Sequence, residues 1–322
     1  MPTVTYQPPT GKPPEAQRPV LIQARGVQKS YGDFRVLEDV GFDVTGGITG
    51  LLGANGSGKT TLLGMILGLH PIDAGVLTVY GRDPWSAGSN VRTLTGYAPE
   101  HHTLPPDLRA DDFVRHVAEL HGLPRDEATT RASDALWLVG LGEERFRALG
   151  TMSTGQRQRV KLAQAFVHDP ELILLDEPTD GLDPVQRDAM LELIARIASE
   201  FGINVLLSSH LLDEVEQICD AAVIIGEGRT LASGSVEELR GSGEAGVLVE
   251  LDANPDLVAG VGAAIGARGF VVSIDGRQVS IQGDDDQVFD AARDACAEAD
   301  IGIVRLSRRR LSLEDVFLDR LG

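Results

Sequence analysis

The chain has 322 residues, enough for one large domain and one small one, and its 42% hydrophobic content suits a globular protein with a core. A formal charge of −19 argues against binding nucleic acid through a general field, and against loose adhesion to anionic lipid. Any membrane association must therefore be docking onto a protein.

Residues 1–19 are proline-rich, lack an apolar core segment and read as a flexible tail rather than a signal peptide. No apolar run reaches about 18 residues, so no membrane-spanning helix is expected. Residues 20–50 alternate as short strands, with turn signals at Tyr31-Gly32-Asp33 and Thr45-Gly46-Gly47. Ile48–Leu52 is an apolar strand that runs into a glycine loop, followed by a helix from about Lys59 to Leu69. Residues 100–150 carry two helices, Asp111–His121 and Asp126–Val139, from apolar spacing near 3.6. Asp111 and Asp112 sit in a first turn, where their charge suits the helix N-terminus. A helix over 153–167, the strand Leu172–Leu175, a helix over 185–201 and the strand Asn204–Ser208 follow. Strands alternating with helices imply a mainly parallel, covered sheet.

Gly241-Ser242-Gly243-Glu244-Ala245-Gly246 reads as a flexible linker. Beyond it come strand Val247–Leu251, helix Pro255–Ala267, and a hairpin of Phe270–Ile274 and Gln278–Ile281 turning at Asp275-Gly276. Helix Asp286–Glu298, strand Ile303–Leu306 and a last helix Ser312–Leu321 complete it, and the order βαββαβ suggests a ferredoxin-like domain. Cys219 and Cys296 are too few for a disulfide framework and read as buried packing in a reducing compartment.

Three segments carry chemistry. Gly53-Ala54-Asn55-Gly56-Ser57-Gly58-Lys59-Thr60, with Thr61 following, fits G-x-x-x-x-G-K-[ST] between a strand and a helix. Its glycines let backbone N–H groups converge on phosphate at the positive end of the helix. Lys59 would bridge the β- and γ-phosphates, and the Thr60 hydroxyl would ligate Mg²⁺. A glycine-rich turn with a fortuitous lysine is the plain alternative. Leu172-Ile173-Leu174-Leu175-Asp176-Glu177-Pro178 ends a buried strand in two carboxylates, at the edge where open α/β sheets bind ligands. Asp176 is placed to hold Mg²⁺ through water, and Glu177 to take a proton from an attacking water. Alone, such a pair would read as a helix cap or a solvated strand end. Met152-Ser153-Thr154-Gly155-Gln156-Arg157-Gln158-Arg159 is again a helix start offering N–H groups and a hydroxyl to an anion, with Gly155 lying 21 residues before Asp176.

This third segment resembles the LSGGQ signature of ABC ATPases, with Met152 in place of leucine and Thr154 in place of the middle glycine. The resemblance covers nearly the whole chain after the tail, strongest over 21–240. It implies an α/β P-loop NTPase fold with a helical subdomain over about 100–155, within an ATPase domain over 20–240, and a ferredoxin-like α+β accessory domain over 247–322. It implies further that Ser153, Gly155 and Gln156 contact nucleotide held by a second subunit, so that two chains, identical or paired, close head to tail on two ATP molecules. Asp183 in Asp180-Gly181-Leu182-Asp183 matches the D-loop carboxylate, His210 the switch histidine, and Tyr31 the aromatic that stacks on adenine. Where most members carry glutamine, this chain has Glu100 in Tyr97-Ala98-Pro99-Glu100-His101-His102, a form that resembles a variant in the ABC-2 branch. Glu100 is read there as a metal-site and catalytic residue that relays the metal's state to a partner.

The ending Leu311-Ser312-Leu313-Glu314-Asp315-Val316-Phe317-Leu318 resembles the tail of ABC-2 ATPases of the daunorubicin-exporter kind. The implied function is Mg-dependent ATP hydrolysis that drives transport, export rather than import, through a separate polytopic permease. The implied location is the cytoplasm, at the inner face of the membrane through that permease. Tyr97, Leu104, Phe113 and Leu120 are candidates to line the groove that receives it, or plain packing. Arg305, Arg308, Arg309 and Arg310 read as a partner for acidic surface or a solvated cluster. The alternative is a soluble ABC ATPase that acts as a regulatory switch without a permease.

Overall fold

The computed structural model describes residues 19–100, 104–241, 246–283 and 286–309. It divides between Ser235 and Val236 into two compact units.

The first unit holds β1 (Ile22–Tyr31), β2 (Phe34–Val44), β3 (Ile48–Leu52), α1 (Lys59–Ile66), β4 (Ala74–Val79), α2 (Pro84–Ala87), α3 (Ser89–Thr93), β5 (Thr95–Ala98) and α4 (Ala110–Leu120). There follow α5 (Arg125–Leu138), α6 (Thr154–Phe166), β6 (Leu172–Asp176), α7 (Pro184–Phe201), β7 (Asn204–Ser209), α8 (Leu212–Ile218), β8 (Ala221–Gly226) and β9 (Arg229–Ser235). The nine strands make one sheet in the order β4-β1-β2-β9-β8-β3-β7-β6-β5. Its half from β8 to β5 is parallel. Strands β3 and β6 are buried at every position, as continuous apolar runs must be when both faces are covered.

The N-terminal strands are longer than their local alternation suggests, because β1 and β2 form an antiparallel ribbon that closes at Tyr31–Phe34. β1 also pairs antiparallel with β4, a strand the sequence reading left unassigned. Its apolar stripe lies over Leu21, Ile22, Val40 and Phe42 in the main core.

Helix α1 stops at Ile66 rather than Leu69. Gly68 turns the chain at φ 67°, and a side chain there would meet the Pro84 carbonyl at 2.0 Å. In the helical segment, Ala110, Val114 and Ala118 on α4 share a buried i, i+4, i+8 stripe, and α5 offers Ala128, Ala132 and Ala135 at i, i+4, i+7. The two helices pack together.

The second unit comprises α9 (Val236–Gly241), β10 (Gly246–Leu251), α10 (Pro255–Gly266), β11 (Val272–Asp275), β12 (Gln278–Gln282), α11 (Asp286–Glu298) and β13 (Ile303–Arg309). Its sheet runs β11-β12-β10-β13 with every pairing antiparallel, the ferredoxin-like arrangement. Val247, Val249, Leu251, Val279 and Ile281 pack with Val258, Val261 and Ile265 of α10 and Val288, Ala292 and Cys296 of α11. The hairpin turns on Gly276 and Arg277, one residue later than expected, because Asp275 still pairs with Gln278. Cys296 is buried, whereas Cys219 is only half-buried, and burial pushes both thiols up. The proline-rich tail, most of the glycine linker, His101, His102, the last helix and the side chains of Arg308 to Arg310 lie outside the described residues. Among the described residues no helix is long and apolar enough to cross a membrane.

Candidate functional site

Strand β3 sits between β8 and β7 and delivers Gly53 to Thr60 at its C-terminal edge. Gly56 and Gly58 hold φ of 83° and 98°, which curls the loop so that Gly58 becomes the N-cap of α1 without any side-chain cap. The helix's first amides are thus left for an anion. Asn55 and Thr60 are exposed, Thr61 is half-buried, and Ser57 is buried with an unpartnered hydroxyl.

Lys59 folds back over its own loop. Its Nζ donates to the Gly53 carbonyl at 2.7 Å and lies 3.1 Å from Glu177 Oε1, with both side chains only 6% exposed. Glu177 reaches this place because β6 is adjacent to β7, and because its backbone turns out of the strand at φ 48°, a left-handed conformation that a glutamate adopts only under constraint. The constraint is Ser208 on β7. Its buried hydroxyl accepts from Glu177 N at 3.0 Å and donates to Asp176 Oδ1 at 2.7 Å. His210, just beyond β7, sets Nδ1 2.9 Å from Glu177 Oε2. Lys59, Asp176, Glu177 and His210 are therefore brought to one point, with one serine tying the two carboxylates together.

The residues suit a magnesium ion. Asp176 Oδ2 is buried with no hydrogen-bond partner, and a lone carboxylate oxygen at such a depth calls for a cation. Tyr97 on β5 lies beside it: burial first, then the Asp176 charge, hold its phenol well above the ordinary tyrosine range. Tyr97 packs against the main core and Leu104 is buried, whereas Leu120 is 73% exposed.

The strand leading to Glu100 is gripped by α6. A side chain at Gly96 would strike the Ala165 carbonyl at 1.6 Å, so helix and strand are in backbone contact. Gln164 donates to the Tyr97 carbonyl at 3.2 Å. Lys161, buried at 8% exposure, donates to the Pro99 and Glu100 carbonyls at 3.0 and 2.7 Å, and burial lowers its pKa. The helix that begins at the signature thereby holds the loop that bears Glu100.

At its start, Ser153 caps α6 in a reciprocal box: Ser153 Oγ accepts from Gln156 N at 3.2 Å, and Gln156 Oε1 accepts from Ser153 N at 3.1 Å. A side chain at Gly155 would meet Gln186 Oε1 at 2.7 Å. Asp183 caps α7, its Oδ1 accepting from Gln186 N at 2.9 Å. Among the described residues no hydrogen bond or ion pair joins Ser153, Gly155, Gln156 or Asp183 to the phosphate loop. Tyr31 is half-exposed on the β1–β2 turn, its ring edge-on to His70 at 6.2 Å and 5.5 Å from Lys29 Nζ.

Ser208, Lys161, Gln164 and His70 were not singled out from the sequence. Only Ser208, a polar residue ending an apolar strand, carried a local signal.

A family model described as ABC transporter matches residues 37–180. The linearmycin resistance ATP-binding protein LnrL of Bacillus subtilis is 36% identical, over 68% of this chain and 70% of its own. The Nod factor export ATP-binding protein I of Burkholderia orbicola is 35% identical, over 68% and 72%. A solved ATP-binding subunit of an ABC transporter superposes with a TM-score of 0.60 at 30% identity, covering 68% of this chain and 92% of that one.

Proposed function

The chain belongs to the ABC transporter ATP-binding family and is an ATPase, and from that premise we propose that it is the ATP-hydrolysing subunit of an ABC-2-type exporter. The observation that carries the site assignment is the convergence of Lys59, Glu177 and His210 at the end of the parallel sheet.

Arriving ATP offers Lys59 a phosphate in place of Glu177. Released from that cation, the Glu177 carboxylate accepts the proton of an attacking water, while His210 on its other oxygen keeps it turned toward the γ-phosphate. Thr60 and Asp176 would hold Mg²⁺, which would neutralise phosphate charge, and Glu100, on the loop after β5, would sense that metal. Tyr31 stacks on the base, and Gly53 to Thr61 wrap the phosphates. Ser153, Gly155, Gln156 and Asp183 lie on α6 and at the start of α7 and complete the site of a second subunit, so ATP selects the closed pair. Opening Ser153 and Gln156 from their capping box frees both for that contact.

The permease is a separate polytopic membrane protein, and this chain docks on it at the inner face. Export is favoured by relatives named for Nod factor export and linearmycin resistance. The test is co-purification of tagged E177Q from native membranes with ATP and Mg²⁺. Recovery of a membrane protein with several spanning segments supports the reading. Recovery of soluble partners alone would favour a regulatory ATPase without a permease.

A further inference from the structure

Glu214, on α8 four residues beyond His210, is 2% exposed and has no part in the chemistry described above. A carboxylate so deep persists only with partners. One is Ser209, whose Oγ lies 2.6 Å from Glu214 Oε2 and donates to it. The same Ser209 oxygen accepts from Leu211 N at 3.0 Å. The hydroxyl thus ties together the residues on either side of His210, and Glu214 holds the hydroxyl.

The other partner is Arg187 on α7, one turn beyond the Asp183 cap, with Nε 3.3 Å from Glu214 Oε1. Neither of these two atoms makes a hydrogen bond, so the pair is held by charge alone. The acidic first turn of α8 offers a simpler account, in which Glu214 only answers the helix's positive end. Against it, α8 has no side-chain cap, and both carboxylate oxygens face other elements.

We propose that Glu214 is a positioning residue for hydrolysis: through Ser209 it fixes the loop that presents His210 to Glu177, and through Arg187 it ties that loop to the helix that starts at Asp183. Movement of the start of α7 when a second subunit closes is thereby felt at His210. The inference rests on His210 and Glu177 being the hydrolytic pair.

Four full-length proteins test it in steady-state ATP hydrolysis: E214Q, R187Q, H210A and E214Q/H210A. Glu214→Gln keeps the shape and removes the charge. The expected result is a kcat about tenfold lower, with the KM for ATP within about twofold of the parent, and no further loss when Glu214→Gln is added to His210→Ala. R187Q, changed at the more exposed end of the pair, is expected to lower kcat in the same direction and serves alone if E214Q does not fold. Parental kcat in E214Q and R187Q beside an impaired H210A would overturn the inference and leave the hydrolytic pair standing. Losses that multiply in the double variant would overturn it too, since a purely structural Glu214 acts independently of His210. Full activity in H210A would instead overturn the underlying pair, and the inference with it.

Discussion

Lys59 Nζ lies 3.1 Å from Glu177 Oε1, and the two side chains bury each other at the end of the parallel sheet. The cation suited to phosphate and the carboxylate suited to water thus neutralise one another. Two opposite charges at this depth stabilise one another, and a phosphate that captured the lysine would leave the glutamate with His210 as its remaining partner. On the function proposed above, nucleotide binding and activation of the base are one exchange of partners.

Ser208 makes that exchange orderly. Ser208→Ala removes the acceptor of Glu177 N and the donor to Asp176 Oδ1 from a fully buried position. A stability loss of about 1–3 kcal/mol is expected, together with roughly tenfold slower hydrolysis, because the left-handed turn at Glu177 loses its anchor. Urea unfolding and steady-state rates of the same variant check both.

Gly96 admits no side chain. Gly96→Ala places a methyl 1.6 Å from the Ala165 carbonyl, a backbone atom that cannot swing away. The cost is about 3 kcal/mol or more, read as a lowered melting temperature. Unchanged melting would show that β5 and α6 are farther apart.

Lys161→Met keeps the aliphatic stem and deletes the donors to Pro99 and Glu100. Both carbonyls lose the Lys161 donor, for a loss of about 1–3 kcal/mol in unfolding free energy, read by urea unfolding. Hydrolysis should also become less sensitive to Glu100→Gln, since the loop no longer holds Glu100 in place.

His121 and His168 stack at 3.5 Å, and burial first, then the neighbouring His121, pushes the His168 imidazole down to about 4. Its folded pKa lies below its unfolded value, so between about pH 6.5 and 4 the unfolded chain binds more protons and stability falls as pH falls. His168→Asn should flatten that slope by on the order of 1 to 2 kcal/mol across the window, measured by urea unfolding at several pH values.

The parts of this molecule written in contiguous residues were legible beforehand. Gly53 to Thr60 and Leu172 to Glu177 each set a strand, a turn and a chemical group in one short run, and the βαββαβ order of the second unit followed from alternation and turn residues. Pairings between distant segments were not. Nothing near Ile22 announces that β1 lies against β4, and nothing near Lys161 announces the Pro99 carbonyl, because those partners are chosen by packing. Glu177 was readable as a candidate base but not as the partner of Lys59, and Tyr97 as a candidate groove or packing residue but not as the neighbour of Asp176. Ser153 and Gln156 were readable as a helix start, and the box they close on each other fits the same S-x-x-Q spacing.

The most direct test of the central claim is the rate of ATP hydrolysis by full-length E177Q. Glutamine keeps the shape and the contact with His210 but cannot take the proton, so the rate should fall by at least about 100-fold. A rate within about threefold of the parent would show that the base lies elsewhere.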